Sequence, residues 1–454
     1  MAYFIIFTLD MGLLDILLGR NKTKEISSQS VFGRYSDSQK SDAKYDRWDK
    51  ALQAYELGLY LQNFTHLLEF LKDDALNNLS YTEDHGVINF QFYQGSKLIK
   101  GIADRNKLRA EAKIAITSEL ELGFTRSLIE QNYGLQYCRF ALCENNDICI
   151  LFDTYAVDAS PYKVYYALKE LASKADKYDD ILLSEYDSLS RIGHHHISIV
   201  PQEVKDIKYQ FIESRIQSIL DLIESGKINI QKYPAGLCYL IIDLAYKIDY
   251  LVKPEGYTLD LVEEIHQTYF QSKSEDIHTK NQKIIQKLRT WMERPRAHFD
   301  EEIYEVISTF GITMPSGHDK LAECIHSELP NMDWYYDNKY DDVALAIPSY
   351  LVGYLMFSYA LPNPDRDFLH LLYEIIEADY FSQMGFSNKY WKKGSLNPSV
   401  IKKRISKIAE AHEEKYPRLK PDLDMIDFGD ICIFSKSYMQ MLAKLDMYKK
   451  DLRD

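Results

Sequence analysis

Residues 87–116 read VINFQFYQGSKLIKGIADRNKLRAEAKIAI, and this stretch decides the fold. Ile88, Phe90 and Phe92 alternate with Asn89, Gln91 and Tyr93, which puts the apolar members on one face of a strand. Gln94-Gly95-Ser96 is a turn signal, and residues 98–103 predict a second strand. Asp104-Arg105-Asn106 turns the chain again. Leu108, Ala110, Ala112, Ile114 and Ile116 then alternate with Lys107, Arg109, Glu111 and Lys113, the pattern of a half-buried antiparallel strand.

Upstream, residues 47–73 carry Trp48, Leu52, Tyr55 and Leu59 at helical spacing, with Leu57, Leu61, Phe64, Leu68 and Leu71 on a second stripe. Asp73-Asp74 and Asn77-Asn78 end that helix. Downstream, Ser118 with Glu121 is a capping box that opens a short helix through Ile129. Residues 137–142 and 148–152 flank the turn at 144–147 and predict a hairpin. Ser160 as N-cap and Pro161 at the first helical position start a long helix through Val164, Leu168, Leu171 and Tyr178. The predicted class for residues 45–187 is α+β, in the order α-β-β-β-α-β-β-α, with a five-stranded antiparallel sheet.

That order resembles the class I type III secretion chaperones and the YbjN-like bacterial domains. The resemblance implies a non-catalytic protein that binds other proteins, dimerises through this domain and holds a client segment against apolar patches. It carries no cofactor and no fixed site residues. The candidate surface is the first helix, whose Tyr55, Leu57, Tyr60, Leu61 and Phe64 cover more of its circumference than packing on one sheet requires.

Composition narrows the class. A net charge of −14 argues against a nucleic-acid-coating protein, which needs clustered Lys and Arg. The 35 tyrosines are read as compositional bias rather than a dedicated sticky surface. Cys138, Cys143, Cys149, Cys238, Cys324 and Cys432 form no C-x-x-C pair, which suggests free thiols in a reducing, cytoplasmic setting. Residues 1–8 are apolar but lack a basic leader, and M-G-L-L-D-I-L-L-G from Met11 reads as an alternative start. Residues 1–44 are therefore an extension and linker, and 188–200 a second linker.

Residues 201–454 predict a helical half, with a further boundary near 295–318. Helical patterns cover 204–223, 237–251, 259–270, 277–291, 303–310, 321–326, 343–360, 368–380, 400–412 and 434–448. The uncharged run 343–361 contains Pro348 and Gly353 and has acidic flanks, so a buried helix is expected rather than a membrane span.

Three clusters are candidates for chemistry or binding. His194 and His196, alternate residues on an extended segment, point the same way and could share a metal. His318-Asp319 resembles the paired ligands of metal-dependent phosphohydrolases, with His298 and Asp341 as completions that nothing in their setting selects, but Asp319 is best read as a helix N-cap or first-turn acid. The stretch from Asp333 to Asp337 reads as a loop anchored by Trp334. No phosphate loop, G-x-S-x-G elbow or H-E-x-x-H motif is present. The expected function is non-catalytic protein binding, to a protein partner or a second copy, with no cofactor. The alternative is a metal-dependent hydrolase in the helical half.

Overall fold

The computed structural model describes residues 32–36, 40–117, 122–143, 147–186, 188–192, 197–227, 229, 231–271 and 275–450. The first predicted helix is in fact two, α1 (Asp42–Glu56) and α2 (Tyr60–Leu71). Leu57-Gly58-Leu59 breaks it, with Gly58 at φ +71°, a left-handed conformation that a residue without a Cβ adopts freely.

The meander has four strands rather than three: β1 (Leu79–Asp84), β2 (Val87–Gly95), β3 (Lys97–Ala103) and β4 (Lys107–Thr117). β1 escaped the sequence reading because it is an edge strand on which only Leu79 is buried. His85-Gly86 joins it to β2 with φ of 47° and 77°, a turn whose twist suits a hairpin. α3 (Leu122–Asn132) follows, then β5 (Arg139–Leu142), β6 (Asp147–Tyr155) and α4 (Pro161–Glu185). Ser160 Oγ accepts from the Lys163 amide at 3.3 Å, and Pro161 opens α4 as expected. The capping box at Ser118 and Glu121 lies outside the described residues.

β7 (Leu189–Arg191) pairs with β4, and β8 (Ser198–Ile199) pairs with β9 (Tyr304–Glu305). β10 (Ile307–Ser308) then pairs with Gly95 and Gln94 of β2. The sheet is therefore antiparallel and eight-stranded, in the order β1-β2-β3-β4-β6-β5 with β7 and β10 alongside. Residues 303–310, expected as helix, instead form two short strands, Tyr304–Glu305 and Ile307–Ser308, and then bend at Thr309 and Phe310. The β-branched Val306, Ile307 and Thr309 favour a strand, and two separate strands supply partners.

Cys143 and Cys149 are diagonal neighbours across the β5–β6 hairpin, with Cα atoms 6.4 Å apart, and are joined as a disulfide. That corrects the expectation of free thiols at these two positions. Cys138, Cys238, Cys324 and Cys432 are free.

The helical half comprises α5 (Gln202–Glu224), α6 (Pro234–Lys247), α7 (Gly256–Phe270), α8 (Ile277–Glu293), α9 (Arg296–Glu301) and α10 (His318–Glu328). It continues through α11 (Asn331–Asp337), α12 (Asp341–Ser358), α13 (Asn363–Ile376), α14 (Ala378–Gln383), α15 (Pro398–His412) and α16 (Ile431–Ala443). A π-helical turn, Ile248–Val252, extends α6. The Trp334 stretch is helix α11, not a loop. The uncharged run forms α12, buried along most of its length against α6, and no helix among the described residues is long and apolar enough to cross a membrane.

Two apolar clusters form. One gathers residues from Val200 to Leu445, and the other gathers the sheet, α1, α2, α3 and α4. Phe310 belongs to the second cluster although it lies far along the chain. Its ring meets Phe92 at 5.7 Å and Tyr165 at 5.4 Å between centroids. Phe310→Ala should lower the unfolding free energy by about 3–5 kcal/mol in a denaturant titration. A loss below about 1 kcal/mol would mean that the crossing segment is not part of the N-terminal core.

Candidate functional site

A cavity of about 520 Å³ opens where the two halves meet, within the range of small-molecule sites. The β2–β3 turn and α4 form one wall, α7 and residues 305–312 another, and the strap Phe32–Ser36 a third. Gly95, at φ +53°, makes the first wall possible. A Cβ there would overlap the Asp176 carboxylate, which accepts the Ser96 amide at 2.7 Å.

The strap comes from the stretch expected to be linker, and its Phe32, Gly33 and Arg34 are docked instead. Phe32 packs against Phe381 with centroids 4.8 Å apart, and the Gly33 amide donates to Tyr250 O at 2.8 Å. Arg34 Nε donates to Asp249 Oδ1 at 2.6 Å, Nη1 to Glu255 Oε1 at 3.1 Å and Nη2 to Pro254 O at 2.8 Å. Burial opposes the guanidinium's charge, but Asp249 and Glu255 outweigh it and hold the group firmly protonated. An aromatic-Gly-Arg cluster inside a polar linker was the available signal for this contact.

Other charges on the cavity wall are mostly matched. Lys177 pairs with Glu263 at 3.0 Å, and Lys253 pairs with Glu305 at 2.8 Å. Asp260 has no ion-pair partner among the described residues, and burial and then Glu263 push its carboxyl up. Arg366 likewise has no ion-pair partner among the described residues, and it lines both this cavity and an adjoining one against Tyr250 and His370.

The residues expected to bind a partner are split. Tyr55 donates its hydroxyl to Val157 O at 2.8 Å, and its ring lies 6.2 Å from that of Tyr60. Leu57 is 74% exposed at the α1–α2 break, whereas Tyr60 and Leu61 are half-buried. Phe64, 1% exposed, belongs to the domain's own core and cannot meet a partner.

The expected metal ligands are not brought together. His194 and His196 lie outside the described residues. His318 Nδ1 instead bonds Asp365 Oδ1 at 2.8 Å, with burial pushing the Asp365 carboxyl up. Asp319 sits in the first turn of α10 and is exposed, as are His298 and Asp341. Among the described residues no three His, Cys, Asp or Glu side chains are placed to hold a metal ion. Compared with known proteins, the chain matches no family model and no curated sequence.

Lys208 lies behind the cavity, 5% exposed and 4.0 Å from Glu305. Burial pushes its ammonium down to about 8; Glu305 opposes this, and Lys253 and Lys205 add to it. The folded chain therefore binds fewer protons than the unfolded chain between pH 8 and 10.5. The penalty for charging Lys208 is complete at neutral pH and fades as pH rises through that window. Lys208→Met should raise stability by about 3 kcal/mol at pH 7, with the gain shrinking toward zero by about pH 11. Thermal unfolding of both proteins at the two pH values checks this, and an equal gain at both would assign the effect to packing alone.

Proposed function

We propose that the chain acts without catalysis, by holding an apolar segment of another polypeptide in the manner of the chaperone-like families it resembles. One observation carries the reading: the α1–α2 break presents apolar side chains that the other described residues leave exposed. Leu57 and Leu59 are 74% and 44% exposed, and Val157 and Tyr155 are 60% and 68% exposed. The Tyr55–Val157 hydrogen bond ties the two stretches together. Large apolar side chains left exposed beside one another in this way are suited to an interface.

Glu56 and Asp158, both exposed, flank the apolar residues. A segment whose leucines are bordered by lysines matches that arrangement, with the apolar contact supplying the affinity and the charges the orientation. Sheet-edge addition is a weaker route, because the edge at β5 is already closed. Asn132 Oδ1 accepts the Phe140 amide at 2.6 Å, and Asn132 Nδ2 donates to Phe140 O at 3.5 Å. The rival reading, a metal-dependent hydrolase, has no comparable support, since His318 is engaged with Asp365 and Asp319 faces solvent.

A labelled peptide of leucines flanked by lysines, followed by fluorescence anisotropy, tests the proposal. Binding should persist at about 0.5 M salt, where exposed ion pairs are screened. Leu57→Glu combined with Val157→Glu should weaken it at least about tenfold, or 1.4 kcal/mol, with an unchanged circular dichroism spectrum. Unaltered affinity in that variant would refute this surface. A wild-type dimer that the same variant converts to monomer would make the occupant a second copy of the chain.

A further inference from the structure

We propose that the cavity between the halves binds a small amphipathic anion, with its carboxylate on Arg366 and its apolar body against Phe357, Leu259, Val306 and Ile312. This site is separate from the α1–α2 surface, and its standing does not depend on the protein-binding reading.

The argument begins with charge. Three of the four cations on the wall are neutralised from within: Arg34 by Asp249 and Glu255, Lys177 by Glu263, and Lys253 by Glu305. Arg366 is partly buried and has no ion-pair partner among the described residues, yet it faces both the cavity and its smaller neighbour. A guanidinium in partly apolar surroundings is stabilised by a bidentate anion, and a carboxylate has the matching geometry. Asp367, next in the chain, does not serve, because its carboxylate is engaged by His412 Nε2 at 2.7 Å.

The apolar side chains set the rest of the ligand. Phe357 and Leu259 flank the cavity on the helical side, Val306 and Ile312 lie on the crossing segment, and Ile312 is 61% exposed. At about 30 Å³ per heavy atom, a cavity of 520 Å³ holds on the order of 15 heavy atoms when well filled. A medium-chain fatty carboxylate is the simplest molecule with that size, one charged end and an apolar remainder.

Isothermal titration of the full-length chain with octanoate and decanoate, below their micellar concentrations, tests this. One molecule should bind per chain, and each added CH₂ should tighten binding about fourfold. Decyltrimethylammonium, with the same chain and the opposite charge, should bind at least about tenfold more weakly. Arg366→Gln should cost decanoate about tenfold or more while preserving the chain-length dependence, and Ile312→Glu should abolish binding with the fold intact. Anionic phospholipid vesicles should not compete, since their chains are not free to enter. Equal binding of the anion and the cation, or decanoate affinity unchanged in Arg366→Gln, would overturn the proposal. Effective competition by vesicles, or decanoate binding only after removal of residues 1–31, would overturn it as well.

Discussion

The two halves depend on one buried amide. Gln94 Oε1 accepts from the amides of Thr309 and Phe310 at 3.2 and 2.9 Å, while its Nε2 donates to Phe310 O at 3.2 Å. The side chain thus acts as a further stretch of strand, satisfying backbone groups that would be costly to bury unpaired. Thr309 Oγ1 donates to Tyr93 O at 2.7 Å and accepts from Asn78 Nδ2 at 3.1 Å, so the crossing segment is gripped on both sides. With these bonds in place, Phe310 can enter the N-terminal core. Without them, β10 would bring unpaired amides into an apolar interior. The cavity follows from the same clamp, because residues 305–312 form its wall only while Gln94 holds them there.

A second constraint is how the sheet closes its edges. Asn132 occupies both backbone groups of Phe140, and the Glu170 carboxylate gathers the amides of Gln136, Tyr137 and Cys138 at 2.8, 2.8 and 3.0 Å. The start of β5 and its Phe140 are thereby occupied by side chains. β1, at the opposite edge, is short and exposes Glu83 and Asp84, which discourages pairing with another chain. Backbone pairing with another chain is thus disfavoured at both of these edges.

What the sequence made legible was local. The alternation of β2, β3 and β4 and the Ser160-Pro161 start of α4 rest on neighbours a few residues apart, and each element lies where it was expected. The misses are cases where a distant partner or a single backbone conformation decides. Gly58 ends a helix whose side chains alone would let it continue. Residues 303–310 have helix-compatible spacing, and backbone pairing of Ile307 and Ser308 with β2, more than two hundred positions away, makes that part strand. In the candidate site, Leu57 was legible as surplus apolar surface, while Phe64 in the same pattern proved to be core. Arg34, Asp260 and Arg366 were not legible, since each gains meaning only from elements that the fold brings beside it.

The helical half poses the converse problem, because uniformly apolar helices can pack in many registers. Charges placed inside it narrow the choice. Lys247 Nζ lies 2.7 Å from both Asp243 Oδ2 and Glu377 Oε1, and Arg215 reaches Glu377 as well. Burial alone would push the Glu377 carboxyl up, but the two cations more than offset it and hold the group below its usual range. A shifted helix would strand one of these charges in an apolar core, at a cost of several kcal/mol. The π-helical turn begins at the residue after Lys247, and within it Asp249 meets Arg34 of the strap. The same short stretch of α6 and its extension therefore fixes the helical core on one side and seats the strap on the other. A change of register at Lys247 would reach the cavity through Arg34, although neither Lys247 nor Asp249 lines it.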